Sequence, residues 1–126
     1  MGIEARGKTL ADAFAQAAEG LTFLMFDPGP VVVREGRRIE LTASDVDQLL
    51  VRWLSEVLYL FDGCGFAPKR FDVQLPTPGS LTATVQGEMF SHSRHTARTD
   101  VKAVTYHQLD IRVRPDECVV RVYVDI

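Results

Sequence analysis

The chain has 126 residues, 46% hydrophobic and 25% charged, with a formal charge of -3 at pH 7. That length suits one domain with a single core, and the balance is that of a globular protein rather than a disordered one. The missing basic surplus argues against tight, sequence-independent binding to nucleic acid, so any link to RNA is expected to run through a partner.

Gly2 to Arg6 alternates enough for a short strand, and Gly7-Lys8 turns it into a helix beginning at Thr9, where Thr9 and Asp12 resemble a capping box. Leu10, Ala13, Phe14, Ala17, Leu21, Leu24 and Met25 line one face of that helix, and Asp27-Pro28-Gly29-Pro30 ends it. Val31–Val33 and Arg37–Leu41 read as two strand segments interrupted by a turn or bulge at Glu35-Gly36. Ser44 to Asp62 is the strongest helical pattern. Its apolar positions Val46, Leu49, Leu50, Trp53, Leu54, Val57, Leu58 and Phe61 recur at helical spacing, with Ser44 as N-cap and Asp62-Gly63 as the stop. This helix is expected to organise the core.

Phe66–Leu75 and Leu81–Phe90 alternate about a Pro76-Thr77-Pro78-Gly79-Ser80 turn and read as a hairpin. A polar stretch, Ser91–Thr99, follows. Val101–Tyr106, Leu109–Val113 and Val119–Val124 read as three further strands. Two helices among hairpins, without regular βαβ alternation, predict an α+β two-layer sandwich with both helices on a mixed or mostly antiparallel sheet.

Chemistry is sparsely marked. Cys64 and Cys118 lie far apart and outside any CxxC pair, so they read as reduced packing residues. Met1–Arg6 is too short and charged for a signal peptide and no apolar run spans a bilayer, so a cytoplasmic protein without membrane association is expected. Phosphate-cradling glycine motifs are absent. His92 and His95 lack carboxylate partners in sequence and read as solvated, and a Ser91, His107, Asp110 triad has no nucleophile elbow to support it. The last strand, Val122–Ile126, brings the Asp125 carboxylate beside the oxygens of Ile126, a hard-oxygen pair suited to a divalent cation or a basic partner. Arg94 and Lys102 are candidate basic groups for a phosphate or a partner carboxylate.

Four segments carry a family likeness. Gly7-Lys8-Thr9-Leu10-Ala11-Asp12-Ala13-Phe14 resembles a GxTLEEAF helix start, and Trp53–Asp62 resembles WLSELLYLFD. Lys102-Ala103-Val104-Thr105-Tyr106-His107 matches KAVTYH, and Val124-Asp125-Ile126 matches a closing VDI. Together they resemble the archease family over nearly the whole chain. The resemblance implies a cytosolic accessory protein, not itself a catalyst, that speeds guanylylation of an RtcB-type RNA ligase from GTP in tRNA splicing and RNA repair, with tRNA met only through the ligase. The alternative role it implies is that of a chaperone or modulator of an RNA-modifying enzyme such as a tRNA methyltransferase. It further implies a divalent metal, calcium by preference, with Asp125 and Ile126 as ligands. Arg94, His95 and Lys102 are the implied partner-binding or functional residues, Arg94 being the basic member of a (K/R)-H pair. Archeases also carry an HTAD-type segment, whose Asp is the second metal ligand, directly before the strand that here starts at Met1-Gly2-Ile3. The expectation is a start assigned late, with half a metal site in this chain.

Overall fold

The computed structural model describes residues 1–126. Its elements run β1 (Gly2–Gly7), α1 (Leu10–Met25), β2 (Glu35–Thr42), α2 (Val46–Asp62), β3 (Phe66–Thr77), β4 (Ser80–Met89), β5 (Ala103–Val113) and β6 (Cys118–Asp125). The strands form two three-stranded sheets, ordered β1-β6-β5 and β2-β4-β3, and every pairing is antiparallel. The α+β class with both helices packed on antiparallel strands is the expected one, divided between two sheets.

Strand periodicity explains which residues face inward. Ile3 and Ala5 on β1, Leu81, Ala83 and Val85 on β4, and Val120, Val122 and Val124 on β6 are all buried at every second position. They join one core with the buried faces of both helices. α1 begins as the sequence suggests, with the Thr9 hydroxyl accepting from the Asp12 amide at 3.1 Å. α2 is capped one residue later than expected. Asp45 Oδ1 accepts from the Gln48 amide at 2.8 Å, while Ser44 donates its own amide to Gln48 Oε1, so the carboxylate takes the place assigned to the hydroxyl.

Trp53 is fully buried, and its indole N–H donates to the Phe14 carbonyl of α1 at 3.0 Å. Its ring meets Phe71 of β3 edge-on. One side chain thus joins both helices to the second sheet. Because α2 is packed against β5, α1 and β3, Val51 and Leu60 are buried as well, while Val46, Leu58 and Phe61 are only partly covered. At the end of α2, Gly63 stays in the right-handed region, and the left-handed turn falls at Gly65, φ +68°, whose amide bonds the Phe61 carbonyl.

Three strand expectations are corrected. Glu35-Gly36 is no turn, since both residues pair continuously with Gly87 and Gln86. Val31–Val33 is not a strand, because side chains consume its backbone groups: Lys69 Nζ donates to the carbonyls of Gly29 and Val31, and the Val32 amide donates to a carboxylate of β4. Val101–Tyr106 and Leu109–Val113 are a single strand from Ala103, interrupted by a bulge between Thr105 and Asp110 where Gln108 takes φ +51°. The expected turn at Pro76–Ser80 is tighter, with Thr77 paired to Ser80 across Pro78-Gly79. Cys118 is a buried thiol as expected, whereas Cys64 is exposed rather than part of the core.

Trp53→Ala removes the indole from a site with no solvent access, takes away the second donor of the Phe14 carbonyl, and is expected to cost about 3–5 kcal/mol. Chemical denaturation of the purified variant against wild type checks this.

Candidate functional site

Alternation along β4 turns Leu81, Ala83 and Val85 toward the core and places Glu88 in the opposite phase, where a charge would ordinarily meet water. Two connectors cover it instead. One is the segment between α1 and β2, residues 27–34, and the other is the polar stretch between β4 and β5, residues 90–102. The Glu88 side chain retains 4% of its exposure.

Five donors converge on its two oxygens. Oε1 accepts from Arg34 Nε and Arg94 Nη1, both at 3.0 Å. Oε2 accepts from Arg94 Nη2 at 2.5 Å, the Val32 amide at 2.7 Å and His95 Nε2 at 3.0 Å. His95 must supply that last proton, because its Nδ1 accepts from the Ser91 amide at 2.9 Å. The hydrogen bonds therefore select the neutral, Nε2-protonated imidazole. The bidentate Arg94 pair first, then the Val32 amide, hold the Glu88 carboxyl far below the ordinary glutamate value of 4.5, against the opposing effect of burial. Glu88 in turn raises the Arg94 guanidinium.

The covering stretch is anchored along its length. Phe90 meets Phe26 and Phe61 edge-to-face and the His95 ring at a tilt. Further on, the Arg98 and Thr99 amides donate to the carbonyls of Met25 and Leu24 at the end of α1, and Asp27 donates to Thr96. The stretch ends at Lys102, whose amide donates to the Asp125 carbonyl at 2.7 Å. One ordered connector therefore runs from Glu88 to the end of β6.

The sequence-predicted residues accordingly fall into two groups. Arg94 and His95 meet at Glu88, while Lys102 meets Asp125, the neighbour of Ile126, at the β6 tip, and no hydrogen bond or ion pair joins the groups directly. Asp125 and Ile126 are exposed, as a surface role requires. Lys102 is exposed too, but its ammonium is paired with Asp100 at 2.9 Å, and Asp100 first, then Asp62, raises its pKa. His95 is not the solvated residue expected. Its side chain has no exposure, so it serves by orienting Glu88 and the connector rather than by touching a partner.

Glu88 and Arg34 escaped sequence reasoning. The available signal was a carboxylate at the end of an otherwise apolar alternating strand, followed six and seven residues later by Arg94-His95. Distance in sequence hid Arg34.

The tip offers oxygen donors of the kind calcium and magnesium take, namely the Asp125 carboxylate and the main-chain oxygens of Ile126. Nowhere do three or more His, Cys, Asp or Glu side chains gather at metal-binding distance. The donor set is right in chemistry and short in number for a cation that takes six to eight oxygens, so a metal held there would take its remaining ligands from water or a partner. No helix is long and apolar enough to cross a membrane.

Because the Glu88 carboxyl titrates lower folded than unfolded, its pairing stabilises the protein fully above the unfolded value. That contribution fades as pH falls below about 4.5 toward the depressed folded value. Melting temperatures measured from pH 7 to pH 3 should drop for wild type. Glu88→Gln, which sets an amide N–H₂ among donors, should melt lower at neutral pH and lose less on acidification.

The whole chain, residues 1–126, matches the Archease protein family (MTH1598/TM1083). The protein named archease from Pyrobaculum neutrophilum is 34% identical, the match covering 98% of this chain and 87% of that one. Its counterpart from Methanosarcina acetivorans is 37% identical over 97% and 86%. Among solved structures, protein 1598 of Methanobacterium thermoautotrophicum superposes with a TM-score of 0.79 at 32% identity, covering 99% of this chain and 91% of that one. An archease from Thermotoga maritima, described as a possible chaperone, shares the fold at a TM-score of 0.64 and 17% identity, over 100% and 90%. With a family match from end to end and relatives above 30% identity over almost its full length, the chain belongs to the archease family.

Proposed function

We propose that this protein activates an RtcB-type RNA ligase, promoting the metal- and GTP-dependent guanylylation of the ligase during tRNA splicing or RNA repair. Archeases are accessory proteins, and a role exerted on a partner agrees with membership of that family. The observation that carries the reading is the β6 tip. Asp125 projects from the end of a strand paired on both sides, so its backbone is fixed while its carboxylate stays in solvent. A rigid backbone bearing an exposed hard anion can enter another protein's catalytic centre without rearranging. Ile126 adds main-chain oxygens, and a divalent ion, calcium by preference, would be shared between this tip and the ligase.

In this reading Lys102 is held against the tip by the hydrogen bond from its backbone amide to the Asp125 carbonyl, and its pairing with Asp100 keeps the ammonium from neutralising Asp125. Arg94 and His95 act at one remove, by fixing the connector that delivers Lys102. RNA is met through the ligase, in keeping with the net charge of -3.

Asp125→Ala should fold as wild type, its melting temperature within about 2 °C, because an exposed strand-end carboxylate adds little stability. The same variant should fail to stimulate ligase guanylylation. Wild-type stimulation by Asp125→Ala would overturn the assignment of the tip. No stimulation by the wild-type protein would favour the alternative role, modulation of an RNA-modifying enzyme such as a tRNA methyltransferase.

A further inference from the structure

Arg34 and Arg94 reach the same carboxylate from opposite connectors, and their guanidinium groups are far from used up. Arg34 commits only Nε–H to Glu88; neither of its Nη atoms has a protein partner, and its side chain is 62% exposed. Arg94 commits one proton from each Nη, leaves Nε–H free, and is 44% exposed. With a neutral His95, the two guanidiniums and one carboxylate leave a net positive charge at the surface. Lys69 is bonded only to the carbonyls of Gly29 and Val31 on the Arg34 connector and, unlike the two arginines, has no carboxylate partner.

We propose that Arg34 and Arg94 form a binding site for a phosphate-type oxyanion. Glu88 is buried beneath them and saturated with donors, so it aligns the two planar forks while presenting little of its own charge outward. Guanidinium forks held in place beforehand lose little freedom on binding, and bidentate geometry matches a phosphoryl group. A tetrahedral group with three or more acceptor oxygens can accept from both forks at once, whereas a planar carboxylate has two oxygens to share. Arg6, Arg112 and Arg121 on the outer face of β1-β6-β5 differ in kind. Each is paired with a carboxylate that is itself exposed, so nothing buried aligns them. A phosphate monoester end and a polyphosphate both offer the required chemistry.

Titration of the protein alone with inorganic phosphate and with pyrophosphate, followed by arginine side-chain NMR signals and calorimetry, tests the site without any ligase. Saturable binding is expected, about tenfold weaker in Arg34→Gln and unchanged in Arg112→Gln. Tighter binding of pyrophosphate would identify a polyphosphate ligand, and equal binding a monoester. Thermal unfolding of each variant is followed in parallel. If Arg34→Gln does not fold, Arg34→Lys, which keeps the charge and loses the fork, should still bind less tightly than wild type. Absence of saturable binding, binding unaffected by either Arg34 substitution, or equal weakening by Arg112→Gln would overturn the site.

Discussion

Glu88 is withdrawn from water at the end of β4, and a carboxylate so placed is tolerated only where charges and donors replace its hydration. Its five hydrogen bonds come from four groups: an amide and a guanidinium of residues 27–34, and a guanidinium and an imidazole of residues 90–102. Neither connector has a strand ladder to hold it. Each is held by this carboxylate, and the second carries its order onward through the end of α1 to Lys102 and Asp125. The Lys102 contact at the β6 tip thus lies at one end of a loop whose other end is anchored on a buried charge.

Trp53 plays the corresponding part in the apolar core. It lies where α1, α2 and β3 meet, and its single polar atom is satisfied by Phe14. Phe26 belongs to the same core cluster as Trp53, and an aromatic series runs from Phe26 and Phe61 through Phe90 to the His95 ring at Glu88. Core packing and the polar cluster are therefore contiguous, with the β6 tip at their edge.

Much of this was legible in the chain. Helical spacing from Val46 to Phe61 and alternation at Leu81, Ala83 and Val85 are local signals, and both elements lie where those signals put them. The exposure of Asp125 followed from its place at the end of an alternating strand. What escaped were relations that local pattern cannot encode. Val31–Val33 has strand-forming residues, yet Lys69 and Glu88, 36 or more residues downstream, take its backbone groups. Arg34 lies 54 residues from Glu88, and nothing in a stretch rich in charge marks it as the one that reaches a buried carboxylate. His95 looked solvated because its neighbours are polar, and it is buried because those neighbours fold over a carboxylate. Likeness to archeases named Arg94 and His95 together but could not say that their meeting point is Glu88.

Amide hydrogen exchange in wild type and Glu88→Gln tests most directly whether the buried carboxylate orders both connectors and, through one of them, the tip. The account predicts that the amides of Val32, Ser91 and Lys102 are protected in wild type and lose protection together in the variant, while those around Trp53 in α2 keep theirs. Loss of protection at Val32 alone, with Ser91 and Lys102 unchanged, would contradict it.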